Sequence, residues 1–422
     1  YGGEGLVAAE RGVATYLIET ALPLAAAAEA LAGEQSSGTF VAVPGETDEL
    51  RERFRARLES LEELESVAVP SLPGSQAPAG AAAYRRARIE ISFALENMGT
   101  NVPTLVATVA GNLFELREFS GIKLLDLELP PAFAAAYPGP QFGIAGTREL
   151  AGVHGRPLIG TIIKPSVGLS PQQTAALAGE LAAAGIDFIK DDELMADPPH
   201  SPLKERVAAV MAVLNEHADK TGKKVMYAFN ISDSLEAMYR HHDAVKDAGG
   251  TCVMASLNSV GLAGIDALRR CAALPIHGHR NGWGMLTRHP ALGIEFVAYQ
   301  KLWRLVGVDH IHVNGLQNKF FETDKSVVRS IEACLAPLLG GYHLMPVISS
   351  GQWGGQAPET YRLTRTVDLM YLAGGGMMAH PQGPAAGCAA IRQAWAAAVA
   401  GVELTAYARE HEALRLALEK FG

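Results

Sequence analysis

Cysteine is scarce in this 422-residue chain: Cys252, Cys271, Cys334 and Cys388 are the only four, and none belongs to a CxxC pair. No disulfide framework is expected, and a reducing cytoplasm is the expected setting. Long apolar runs are missing too, since none approaches the ~20 residues of a membrane-spanning helix. Basic blocks are absent, basic and aromatic residues do not interleave, and the net charge is −9. That balance argues against a nucleic-acid partner. No basic, apolar, cleavable leader is legible, and the chain begins at Tyr1 rather than Met. What is present is apolar residues, at 48%, with 19% charged. This suits a globular protein with a large core, long enough for two domains or for a barrel with an appendage.

Residues 1–140 show no regular rhythm. Ala21–Ala32 and Ala79–Ala87 read as helices, Thr39–Val43 and Arg88–Phe93 as strands, which together predict an α+β domain. The Pro- and Gly-rich stretch Pro130–Gly143 reads as a linker. From Arg156 the pattern becomes strand then helix, repeated. The candidate strands are Leu158–Ile163, Ile186–Lys190, Val225–Asn230, Cys252–Ser256, Pro275–His279, His310–Val313, Met345–Ser349 and Leu369–Ala373. Helical patterns lie between them, such as Pro171–Ala184 with Ser170 as N-cap. About eight βα units in about 240 residues is the size of a TIM barrel, placed over residues 141–400 with a helical tail over 401–422. A doubly wound sheet would carry a Gly-rich phosphate loop after its first strand, where this chain has KPSVGLS.

Active-site groups of such barrels sit at the C-terminal ends of the strands. Here the strand ends carry Lys164, the run Lys190-Asp191-Asp192-Glu193, Asn230, His277-Gly278-His279-Arg280, His310-Ile311-His312, Ser349-Ser350-Gly351 and Gly374-Gly375-Gly376. Each has a bland explanation: a solvated lysine, a structural histidine, a flexible glycine turn. Their accumulation on one rim points to a site. Alternation puts Lys190 and Asp192 on one face and Asp191 on the other, with Glu193 following. Two readings stay open: a salt-bridge cluster, or a lysine carbamate that joins two carboxylates in holding Mg²⁺. The seventh and eighth strand ends suit a phosphate cradle, and Arg280 and His312 a second anionic group.

The motifs GRPLIGTIIKPSVGLS (155–170), AGIDFIKDDE (184–193), HGHRNG (277–282), GVDHIHVNG (307–315), PVISSGQW (346–353) and AGGGMMAHPQG (373–383), with GEQSSGTF (33–40) and AGNLFEL (110–116), resemble the large chain of ribulose bisphosphate carboxylase (RuBisCO). The resemblance implies a ferredoxin-like N-terminal domain and a (β/α)8 barrel. It implies Lys190 as the carbamylated lysine, with Asp192 and Glu193 as its companion Mg²⁺ ligands, so that Mg²⁺ and CO2 serve as cofactors. Lys164 matches a lysine of the enolisation step, His279 a catalytic histidine and Lys319 the carboxylate-binding lysine of a mobile loop. Arg280, His312, Ser349, Gly351, Gly374 and Gly375 match substrate and phosphate contacts. Glu34, Thr39 and Asn112 match residues lent by a partner subunit, so an obligate homodimer with shared sites is implied, alone or within a larger oligomer.

The departures are as informative. Carboxylases of this family have KPK where this chain has Lys164-Pro165-Ser166. Ile162 stands for a threonine, Phe40 for a tryptophan and Ser350 for a glycine. The pattern resembles the RuBisCO-like, non-carboxylating branch (form IV). The expected reaction is Mg²⁺-dependent formation of an enediolate from a sugar phosphate. The first reading is decarboxylation or C–C cleavage of a 3-oxo-isoapionate 4-phosphate-type acid. The alternatives are isomerisation of a 5-methylthioribulose 1-phosphate-type ketose, and a non-catalytic paralogue that binds sugar phosphates.

Overall fold

A computed structural model describes residues 10–38 and 43–422. The described residues fall into two compact units, those up to 138 with 282–302 and those of 139–281 with 303–422. In the first unit β1 (Arg11–Thr20), β2 (Arg57–Val67), β3 (Tyr84–Ala94) and β4 (Gly121–Glu128) form an antiparallel sheet in the order β4-β1-β3-β2. Helices Leu24–Glu34 and Val102–Ala110 connect β1 to β2 and β3 to β4, which completes the ferredoxin-like βαββαβ order. Alternation is clean where the sheet is covered: Ala87, Ile89, Ile91 and Phe93 of β3 are buried. The helix expected at Ala79–Ala87 is absent. Ala79–Ala83 is irregular, and Tyr84 onward is drawn into β3 by pairing with both β1 and β2. The strand expected at Thr39–Val43 lies outside the described residues save Val43, which is irregular.

The second unit is the barrel. β5 (Leu158–Ile162), β6 (Phe188–Lys190), β7 (Met226–Asn230), β8 (Cys252–Ser256), β9 (Ile276–His279), β11 (His310–His312), β12 (Met345–Ile348) and β13 (Met370–Leu372) close in parallel, while β10 (Leu292–Ile294) pairs with β4 of the first unit instead. Each expected barrel strand is therefore present. The expected boundary at residue 140 needs one correction: Gly282–Leu302 goes with the first unit, because β10 extends the edge of its sheet. The expected linker carries a short helix, Phe133–Ala136, and a helix starting at Gly143. Leu158, Phe188, Met226, Cys252, Met254, Met345, Val347, Met370 and Leu372 fill the barrel with side chains. Gly160 has no room for more, since a β-carbon there would come within 2.5 Å of Leu372.

Strand-to-helix geometry is written locally. Ser170 accepts from the Gln173 amide while the Gln173 side chain accepts from the Ser170 amide, a reciprocal cap that starts the helix Pro171–Ala183. This fixes the loop that follows β5, and with it Lys164.

Candidate active site

Five of the expected residues meet at the ends of β5, β6 and β9. Lys164 Nζ donates to Asp192 Oδ2 at 2.8 Å and to Ser166 Oγ at 2.6 Å. Lys190 Nζ donates to the Asp191 carbonyl at 2.8 Å and lies 3.7 Å from Glu193 Oε2. Glu193 Oε2 is in turn 3.4 Å from His279 Nε2. As alternation requires, Asp191 turns away. Its carboxylate accepts from Tyr227 Oη, from Arg206 and from the Asn230 amide at 2.7–3.2 Å. Asn230 Nδ2 also donates to the carbonyls of Asp192 and Glu193. The backbone of the cluster is thus pinned from β7, while its side chains are left to face the strand ends.

Burial sets the charges. Lys190 is 1% exposed, and desolvation pulls its ammonium below the ordinary lysine value although Glu193 and Asp192 pull the other way. His279 is pushed down to about 4, by burial first and by Lys190 second, so its ring is neutral at neutral pH. Burial alone would raise Asp192, but hydrogen bonds from Lys164 and Ser166 hold it below the ordinary carboxylate range. An amine biased toward its free-base form can add CO2, and the resulting carbamate with Asp192 and Glu193 would be a set of oxygen donors that suits a hard cation. Among the described residues Asp197, Asp233 and His241, away from this cluster, bring ligand atoms within 4.8 Å of one another. Their carboxylates already accept from the Leu203 and Ser234 amides, as turn and cap residues do.

On the opposite arc, His312 Nδ1 contacts Ser349 Oγ at 2.9 Å. Arg280 is buried, and its guanidinium donates to Glu322 Oε2 at 2.9 Å. Glu322 also accepts from Asn314 Nδ2 at 2.6 Å and Ser326 Oγ at 2.8 Å. Nothing in the sequence pattern singles out Glu322, which is 42 residues from Arg280.

Both halves of the chain match family models: the RuBisCO large chain N-terminal domain over residues 8–133 and its catalytic domain over residues 143–421. The chain belongs to the RuBisCO large-chain family. It is 50% identical to a 3-oxo-isoapionate-4-phosphate decarboxylase of Rhizobium etli, over 97% of this chain and 98% of that protein. It is 54% identical to a 3-oxo-isoapionate-4-phosphate transcarboxylase/hydrolase of Xanthobacter autotrophicus, over 97% and 99%. Among solved structures, a rubisco-like protein from Burkholderia fungorum aligns with a TM-score of 0.91 at 49% identity, covering 97% of this chain and all of that one. An octameric RuBisCO from Pyrococcus horikoshii aligns at 0.87 and 31% identity, covering 97% and 93%.

Against the RuBisCO pattern the remaining positions sort clearly. The Lys319 backbone docks on the seventh strand end, its amide donating to the Ser350 carbonyl at 3.3 Å, but its ammonium rests 5.3 Å above the Phe320 ring. Among the described residues no hydrogen bond or ion pair joins it to Lys164 or Lys190. Ser350 stands in the left-handed region at φ 76, which costs a residue with a β-carbon roughly 1–2 kcal/mol. Its hydroxyl donates to Asn314 Oδ1 at 2.7 Å, which offsets part of that cost. Gly351 follows at φ 82, a conformation that favours glycine. Gly374 caps a single helical turn that begins at Gly375, so the amides of that turn lead off the eighth strand end. Ile162 packs on the barrel core where the carboxylase threonine is expected. In the first unit Glu34 ends its helix and Asn112 starts a 3-10 turn. Gln35 joins them: oriented to satisfy both neighbours, its amide donates to the Ala107 carbonyl at 3.2 Å and accepts from the Asn112 amide at 3.1 Å. Thr39 and Phe40 lie outside the described residues.

Proposed function

We propose that this chain is a non-carboxylating member of the family that decarboxylates 3-oxo-isoapionate 4-phosphate or a close analogue. The observation that carries this reading is the Lys164–Ser166 pair. One ammonium, fixed at 2.8 Å from Asp192, faces the site where the carboxylase pattern would supply two. Its full-length relatives at 50% and 54% identity support the substrate class.

In the β-oxo acid the bond to the carboxylate breaks, CO2 leaves, and the electron pair stays on the carbon skeleton as an enediolate. A Mg²⁺ ion held by carbamylated Lys190, Asp192 and Glu193 would supply carbonyl polarisation there. Lys164 stabilises the new oxyanion as a charged donor, and it can return a proton to the carbon once CO2 has gone. His279, neutral and beside Glu193, would accept a proton from a substrate hydroxyl. Lys319 holds the departing carboxylate once its ammonium swings off Phe320. The phosphate sits at the amides of Gly374, Gly375 and Gly351. Glu34, Thr39 and Asn112 act across a homodimer, which a heterodimer of inactive Asn112→Ala and Lys190→Ala chains tests by regaining activity. A phosphorylated sugar acid as substrate fits the cytoplasmic setting expected above.

Substrate labelled in its carboxyl carbon tests the reaction. Release of label as CO2 supports decarboxylation. Retention of label in an organic acid favours the transcarboxylase/hydrolase reading suggested by the Xanthobacter relative. Absence of any turnover, together with turnover of 5-methylthioribulose 1-phosphate, would overturn both. With ribulose 1,5-bisphosphate and labelled bicarbonate no fixation is expected, because Ser166 cannot carry the missing fixed charge, and one lost donor of this kind costs ~10²–10³ in rate.

A further inference from the structure

Barrel interiors of this type are ordinarily filled by branched apolar side chains. Here the wall between β9 and β11 carries His277, His310 and His312, all buried. They form an unbroken chain of contacts. Thr147 Oγ1 is 2.7 Å from His310 Nε2, His310 Nδ1 is 3.3 Å from His277 Nδ1, His277 Nε2 is 2.9 Å from His312 Nε2, and His312 Nδ1 is 2.9 Å from Ser349 Oγ. The mechanism above uses neither His277 nor His310.

Such a chain has only two self-consistent polarities when every ring is neutral, because each neutral imidazole has one N–H and one acceptor nitrogen. Burial lowers all three: His310 falls to about 3, and His277 and His312 fall well below the ordinary histidine value. The far end decides the polarity. Thr147 Oγ1 also contacts the Gly143 carbonyl, one helical turn back. A carbonyl cannot donate, so the threonine hydrogen goes to Gly143, and Thr147 Oγ1 must accept from His310 Nε2–H. His310 Nδ1 then accepts from His277 Nδ1–H, His277 Nε2 accepts from His312 Nε2–H, and His312 Nδ1 accepts from Ser349 Oγ–H.

We infer that this polarised chain makes Ser349 Oγ an obligate acceptor toward the ligand, so that it reads a substrate hydroxyl and not a phosphate oxygen, with Thr147, His310 and His277 as positioning residues. The Ser349 hydrogen is committed inward, and its remaining lone pairs face the strand end. An anionic phosphate oxygen would meet lone pair against lone pair there. A hydroxyl of a sugar acid would donate to it. The role of a substrate hydroxyl rests on the reading of the site given above; the polarity of the chain does not.

Neutron diffraction from the deuterated full-length protein reads the chain directly. Deuterium is expected on His312 Nε2, His277 Nδ1 and His310 Nε2. Deuterium on His312 Nδ1 overturns the inference, whatever the enzyme's substrate proves to be. The functional arm uses Thr147→Val and Thr147→Ser, remote from the strand-end cluster. Thr147→Val frees the chain to reverse, so KM for the oxo acid phosphate should rise about fivefold with kcat little changed, the size of one net hydrogen bond. Thr147→Ser should restore it, and in a Ser349→Ala background Thr147→Val should add nothing. The dissociation constant of inorganic phosphate should stay within about twofold in each variant, less than the worth of one net hydrogen bond. Additive effects of Thr147→Val and Ser349→Ala, or a phosphate affinity that falls with Ser349→Ala, would overturn the assignment. If Thr147→Val does not fold, the neutron map of the unaltered protein still decides the polarity.

Discussion

Strand β6 is three residues long, and its two ends treat buried charge in opposite ways. At the N-terminal end Asp187 is saturated. It accepts from Arg156 twice, at 2.5 and 2.9 Å, from Lys223 at 2.8 Å and from the Ile159 amide at 2.9 Å. Burial alone would raise Asp187, yet these bonds hold it below the ordinary carboxylate range. At the C-terminal end Lys190 has one backbone acceptor and a carboxylate at 3.7 Å, and burial pulls it away from its charged form. The first end is arranged so that nothing needs to change. The second is arranged so that a ligand or a chemical step completes it. Composition alone would not separate the two clusters; the difference is whether each polar atom is already satisfied.

The sharpest way to break this comparison is to remove one residue from each end. Lys190→Ala should abolish turnover, a loss of more than ~10³ in rate, and remove Mg²⁺-dependent thermal stabilisation while the circular dichroism spectrum stays that of the native fold. Full activity in that variant would return Lys190 to the class of structural ion pairs. Asp187→Asn should do the reverse. It strands two cations and should cost about 2–3 kcal/mol in denaturant unfolding, the low side of a broken buried pair because Arg156 and Lys223 are a third exposed, with turnover per folded molecule unchanged. The sign with pH follows from the depressed value of Asp187. Its stabilisation is complete above the unfolded-state value of about 3.9 and is lost as pH falls through the folded-state value. The stability gap between wild type and Asp187→Asn should therefore close in acid; a gap that persists at pH ~2, below the unfolded-state value, would rule this origin out.

A smaller effect is expected where the two kinds of cluster blend. Arg280, an anion contact on the sequence reading, is already compensated by Glu322. This suits a substrate with one phosphate. Glu322→Gln should raise the affinity for ribulose 1,5-bisphosphate by about tenfold, ~1.4 kcal/mol, and leave a monophosphate ligand unchanged in calorimetry. An equal change for both ligands would remove Arg280 from anion recognition.

How much of this was legible in the sequence follows from how far apart the interacting residues are. The barrel strands were legible because each is buried on both faces and reads as a short apolar run between amphipathic helices. The cluster on β6 was legible because Lys190, Asp192 and Glu193 are neighbours in the chain, and alternation correctly turned Asp191 away. Ala79–Ala87 misled because alanine-rich composition favours a helix locally, while β1 and β2 decide the state of Tyr84 onward from a distance. Arg206, which saturates Asp191, looks in sequence like any basic residue on an amphipathic helix. Glu322 and Thr147 gave no signal at all, since Arg280 and His310, the partners that matter here, lie 42 and 163 residues away.

The pairing of β10 with β4 carries a consequence for synthesis on the ribosome. Ile122 and Leu292 are register partners, so the first unit lacks its outer strand until the polypeptide has emerged past residue 294, well after β5 to β9. Until then β4 presents an unpaired edge, the kind of surface that recruits foreign strands. A nascent chain that stalls between residues 138 and 282 would hold an incomplete sheet, and an isolated fragment ending at residue 138 would keep that edge open permanently. Such a fragment should aggregate more readily than the full chain, and appending Leu292–Ile294 through a flexible tether is the direct way to silence it.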